Sequence, residues 1–124
     1  MVPGEGMGGE MASSPPVQYQ ISGGLMLISG LFNGFLSLLW FVMLIWVCVG
    51  VMWLIPFAMA CVEITVGILV LAGVRVPGVQ VVSILGGINS LFLFNMWGTV
   101  MEMIAAVLQF QPVVTGYIAG GDEE

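Results

Sequence analysis

Basic charge is almost absent from this chain. Its 124 residues include one arginine, Arg75, and no lysine or histidine, and the formal net charge is −6. Nothing is available to neutralise a phosphate backbone, so nucleic acid is excluded as a partner. Without histidine there is no Ser/His/Asp set and no imidazole metal ligand. The two cysteines, Cys48 and Cys61, stand in no CxxC or Cys/His pattern, which removes the usual zinc and haem-attachment signatures. Their expected role is packing, as small hydrophobes. No glycine-rich phosphate loop stands in a strand–helix context. The expectation is a non-enzymatic chain without a cofactor or bound metal.

Charge of either sign is also scarce. Charged residues make up 6% of the chain against 60% hydrophobic ones, whereas a soluble domain carries about a quarter charged residues. The mean hydropathy is +1.15. Such a chain cannot cover a water-facing surface, so its outside must meet lipid or other subunits. An ordinary secretory leader is not expected, because the first twenty residues hold no basic group.

What is present is a series of long apolar runs broken at few places. Residues 1–16, rich in Gly, Pro and Ser, read as a flexible acidic tail ending at Pro15-Pro16. Residues 120–124 read as a second acidic tail. A membrane span needs about 20 apolar residues, and residues 17–119 hold room for four. They fall at about 21–45, 52–73, 79–95 and 98–116. The first turn lies between Trp46 and Trp53, the second at Gly73–Gly78, and the third at Asn95–Gly98. Gln109, Gln111 and Pro112 weaken the end of the fourth span. Trp46, Trp53 and Trp97 suit the membrane interface, and Tyr19 suits the approach to the first span. A three-span alternative would run residues 79–111 as one helix about 50 Å long. That is far more than the ~30 Å hydrocarbon core, and it would bury the polar cluster Asn95–Thr99 mid-helix. The expected fold is therefore an all-α integral membrane protein, a compact four-helix bundle made of two hairpins. Arg75 on the 73–78 loop places that loop and both termini in the cytoplasm by the positive-inside rule, in the cell (inner) membrane.

Against this background Glu63 stands out, because a carboxyl group at mid-span is costly unless it is partnered. The span boundaries put Asn33 and Asn89 at about the same depth, so Asn33, Glu63 and Asn89 are expected to form an intramembrane polar cluster. Small residues should line the helix contacts around it: Ser29, Gly30, Gly34 and Ser37 on the first span, Gly67 on the second, and Ser83, Gly86 and Ser90 on the third. The segment Gly30–Gly34 (Gly-Leu-Phe-Asn-Gly) is echoed by Gly86–Ser90 (Gly-Gly-Ile-Asn-Ser). The large residues Leu31, Phe35, Leu38, Phe92 and Phe94 are left to fill gaps or face lipid. Glu102, one turn into the fourth span, reads as a snorkelling or helix-capping acid.

Three functions fit. The first is a structural or accessory membrane subunit that forms a homo-oligomer or packs with other membrane proteins. The second is a proton- or ion-linked transporter or channel subunit in which Glu63 titrates. The third is a holin-like lesion former, which fits in size and span count but lacks the basic tail such proteins carry.

Overall fold

The computed structural model describes residues 14–120, so most of both predicted tails, residues 1–13 and 121–124, lies outside the described residues. All regular structure among the described residues is helical. The chain runs through α1 (Val17–Leu44), α2 (Leu54–Leu71), α3 (Val79–Phe92), α4 (Met96–Gln109) and a short α5 (Pro112–Ile118).

The helix α1 starts straight after Pro15-Pro16. Pro16 takes an extended conformation (φ −62°, ψ 149°) and serves as the N-cap. Val17 to Gln20, expected to be only an approach segment, is the first turn of α1. Its 28 residues rise about 42 Å. Together with the turns beside them, α1 and α2 are each long and apolar enough to cross a membrane. The connection between them is two 3-10 turns, Ile45–Val47 and Val49–Trp53, joined at Cys48 with φ 65°.

These two helices are held backbone to backbone. A methyl group on Gly23 would lie 2.6 Å from the amide nitrogen of Leu71, and one on Gly67 would lie 2.7 Å from that of Leu27. Only a residue without a side chain permits that approach.

The third and fourth helices are shorter than their expected spans. α3 and α4 have 14 residues each, about 21 Å of rise. The break between them falls earlier than the sequence suggests. α3 stops at Phe92, Phe94 adopts a left-handed conformation (φ 60°), and Asn95 caps α4 by accepting from the Gly98 amide at 2.9 Å. An Asn side chain competes well for a free helix N-terminal N–H, so Met96, Trp97 and Gly98 belong to the first turn of α4 rather than to the connection. This break also removes the single long helix over 79–111. At the other end, α4 ends at Gln109, and Pro112 opens α5, where its missing N–H costs nothing.

The ends of the bundle differ in chemistry. One end gathers the 73–78 loop, the start of α1 and α5. There the Tyr19 and Tyr117 rings pack 5.3 Å apart. The Tyr19 hydroxyl donates to the Val74 carbonyl and accepts from the Val76 amide, and the Tyr117 hydroxyl donates to the Gly73 carbonyl. Arg75 Nε donates to the Tyr117 carbonyl at 2.7 Å, and the guanidinium lies 4.5 Å from the centre of the Tyr117 ring. Tyr19, read from sequence as an interface residue, is instead fully buried in this collar. The opposite end, made of residues 45–53 and 93–95, contains no charged residue. There Trp53 stacks on Trp40 at 5.5 Å and packs against Phe92 at 4.9 Å. Trp46 and Trp97 point outward, 87% and 76% exposed.

Candidate functional site

Between these two ends, the inward face of the bundle is polar. On α1 it is Ser22, Met26, Ser29, Asn33 and Ser37, all inaccessible, at the three- and four-residue spacing of one helix face. α2 contributes Glu63, α3 contributes Ser83, Gly86, Asn89 and Ser90, and α4 contributes Asn95, Thr99, Glu102 and Gln109. The outward faces carry Leu31, Phe35, Leu38, Phe92 and Phe94, each at least 43% exposed. This inverts the usual pattern of a water-soluble domain.

Asn33 is the hub. Its amide nitrogen lies 3.2 Å from each carboxyl oxygen of Glu63 and 2.8 Å from Ser90 Oγ. Its amide oxygen accepts from Asn95 Nδ2 at 2.9 Å and from Ser90 Oγ at 3.1 Å. Asn89 reaches Glu63 from the other side, with Nδ2 donating to Oε2 at 3.4 Å and to the Pro56 carbonyl at 3.2 Å. Ser29 Oγ donates to Glu63 Oε1 at 3.4 Å. The two asparagines of the echoed segments thus meet on one carboxyl group. Each of the small residues assigned to helix contacts, Ser29, Gly30, Gly34, Ser37, Gly67, Ser83, Gly86 and Ser90, is buried. Gly30 and Gly34 do different work, however. A methyl on Gly30 would meet Ile64 Cγ1 at 2.8 Å, while one on Gly34 would sit 3.7 Å from Ala60 Cβ, an ordinary contact.

Glu102 overturns its sequence reading. It is 1% exposed and lies in the core rather than at an interface. A methyl on Gly86 would come within 2.9 Å of the Cδ atoms of both Glu63 and Glu102. The two carboxyl carbons are therefore no more than about 6 Å apart, close enough for like charges to disfavour one another. Neither Glu102 oxygen meets a side-chain or backbone donor, and the buried Ser83 Oγ is also without a partner. Two ionised carboxylates are acceptors only. A proton on either one turns their contact into a hydrogen bond.

Ser22 shares the face of Ser29, Asn33 and Ser37 by its spacing, whereas Asn95 and Gln109 do not stand out in the sequence as members of this seam. Gln109 is inaccessible and donates to Ser22 Oγ at 3.1 Å and to Met26 Sδ at 3.2 Å. A signal for them exists. Asn95, Glu102 and Gln109 recur every seven residues, two helical turns apart, as do Ser22 and Ser29.

Both cysteines depart from the packing role expected of them, since Cys48 and Cys61 are free and exposed. Among the described residues, no three His, Cys, Asp or Glu side chains come together as a metal-ligand group. Comparison with protein-family models, with curated proteins and with solved structures finds no match to this chain.

Proposed function

We propose that this chain is a small, non-enzymatic integral membrane protein of the cell (inner) membrane, with four spans and both termini in the cytoplasm. In this reading it serves as a structural or accessory subunit that assembles with copies of itself or with other membrane proteins. The observation that carries it is the inversion of polarity. Asn33, Glu63, Asn89, Asn95 and Glu102 are turned inward onto one another, and the outside is Leu, Ile, Val, Phe and Met. In lipid, buried polar groups hold helices together, and the apolar outside gains nothing by hiding from tails as greasy as itself. The hydrogen-bonded core supplies a rigid, neutral-sided body for assembly.

The short second hairpin fits a membrane if its tip, with Phe94, Met96 and Trp97 exposed, rests at the apolar edge of the far headgroups. A hairpin shorter than the hydrocarbon layer is accommodated by local thinning at a fraction of a kcal/mol per Å. Arg75 at the opposite end supplies the orientation.

The test is assembly in a native-like membrane. The protein is reconstituted in nanodiscs at varied protein-to-disc ratio, cross-linked and weighed by native mass spectrometry. The expected result is a defined multimer that survives dilution into excess lipid. A monomer at every ratio, both alone and when isolated from its own membrane, overturns the subunit reading.

A further inference from the structure

We propose that Glu63 and Glu102 together form a proton-binding site, holding one exchangeable proton between them, and that the site is loaded from the tyrosine-collared end of the bundle. The inference goes beyond the assembly role and does not depend on it.

Geometry carries the argument. The two carboxyl groups converge beside the Gly86 backbone, each Cδ 2.9 Å from where a methyl on Gly86 would stand. Glu63 has its donors, Asn33, Asn89 and Ser29. Glu102 has none, although both its oxygens are buried. Leaving an ionised carboxylate buried without a protein donor is costly. A proton taken from water onto one carboxyl moves the pair from −2 to −1. Its O–H then donates to the opposite carboxylate, as in paired acids that share one proton. When the site empties, the proton returns to water.

No other ionisable group faces the pair from any packed element among the described residues. α1 presents Ser29 and Asn33, α3 presents Ser83, Gly86, Asn89 and Ser90, and α2 and α4 present the two acids themselves. Arg75, Tyr19 and Tyr117 remain together at the collar. No internal cation is there to replace the proton.

The seam gives the direction. From the collar, Ser22 and Gln109 make a polar step, with the buried Gln109 Oε1 unpartnered. They stand seven residues from Ser29 and Glu102, about 10 Å along the helices. Met26, fully buried, separates the two levels and takes the spare Gln109 N–H on its sulfur. On the far side of the pair Trp40 and Trp53 stack, Phe92 packs at a tilt on Trp53, and a cavity lined by Met52, Pro56, Asn89 and Phe92 opens beside them. The polar step at Ser22 and Gln109 favours entry past Met26.

The experiment is infrared titration of the carboxylic C=O stretch in protein carrying carboxyl-labelled glutamate, reconstituted in lipid. The labelled tail glutamates titrate separately, as free carboxyls. The wild type is expected to show core carboxyl absorption that titrates in two macroscopic steps, the signature of interacting acids. Glu63→Gln and Glu102→Gln are each expected to leave one step, and the double variant none. Single-variant curves that sum to the wild-type curve would mean independent acids and overturn the pair. A core carboxyl that never changes state across the folded range overturns exchangeability and leaves permanent neutral packing. If either Gln variant fails to fold, the two-step wild-type curve alone decides. For the route, transfer to D2O reads the exchange of the same band. Met26→Ala is expected to speed it at least about tenfold, because a cavity with polar walls admits water. An unchanged rate in Met26→Ala, with faster exchange in Trp53→Ala, overturns the direction.

Discussion

Glu63 and Glu102, thirty-nine positions apart in the chain, converge on one point beside the backbone of Gly86, each Cδ within 2.9 Å of where a methyl would stand. Gly86→Ala therefore pushes against two buried carboxyl groups, of which Glu63 is held by hydrogen bonds from Asn33, Asn89 and Ser29. Overpacking of this kind costs about 1–3 kcal/mol. The adjacent Gly87→Ala is the control, because its methyl meets Glu102 Cβ at 3.5 Å, an ordinary contact. Thermal unfolding in detergent should give a clearly lower midpoint for Gly86→Ala than for Gly87→Ala. Equal midpoints would mean that the carboxyl groups do not flank Gly86.

Asn33 supports more of the core than any other single side chain. Asn33→Leu leaves Glu63 with weaker donors and strips Asn95 Nδ2 of its acceptor. Leaving buried polar groups unpaired costs about 1–3 kcal/mol for each. Ser37, on the same face and equally buried, donates only to the Asn33 carbonyl of its own helix, so Ser37→Ala should change stability by less than about 1 kcal/mol. A denaturant series on both variants checks the ordering, and a Ser37→Ala loss as large as that of Asn33→Leu would contradict it.

The two glycines of the Gly30/Gly34 pair are predicted to respond differently. Gly30→Ala drives a methyl to 2.8 Å from Ile64 Cγ1 and 3.1 Å from Glu63 Cβ, while Gly34→Ala places one at 3.7 Å from Ala60. The first should loosen α1 from α2, and the second should be neutral or, through the better helix propensity of Ala, slightly stabilising. Cross-linking yield between cysteines introduced on the two helices, measured in membranes, separates these outcomes.

Much of this arrangement was legible in the sequence because lipid reverses the usual burial rule. Once the runs around Glu63 are read as spans, Asn33 and Asn89 fall at its depth, and Ser29, Ser83 and Ser90 follow by helical spacing. Glu102 was missed for a physical reason. By its distance from the helix start it reads as a dipole or capping acid, the usual role of a carboxyl near an N-terminus. Its depth depends instead on how far α4 begins inside the bundle. That is set by Asn95, whose side chain both caps α4 and donates to Asn33. Sequence spacing shows that Asn95, Glu102 and Gln109 share a face, but only the tertiary contact shows which level of α1 they meet. The collar was similarly hidden, since Tyr19, Arg75 and Tyr117 carry no local signal that they meet.

The cysteines offer a test of span and orientation that requires no substitution. Both are exposed on the protein, but their surroundings differ. Cys48 lies in the turn at the uncharged end, between the two 3-10 turns. Cys61 lies in the middle of α2, on an outward face with Val62 and Ile68. With cytoplasmic termini, the Cys48 turn faces outward and Cys61 faces acyl chains, where a charged reagent does not go. A membrane-impermeant maleimide added to intact cells should label Cys48, and Cys48→Ser should abolish the signal. Cys61 should react only with a lipid-soluble maleimide or after denaturation. Labelling of Cys48 only in inverted vesicles would reverse the orientation. Rapid labelling of Cys61 by the impermeant reagent in either preparation would place α2 in water and overturn the membrane-spanning assignment of the first hairpin.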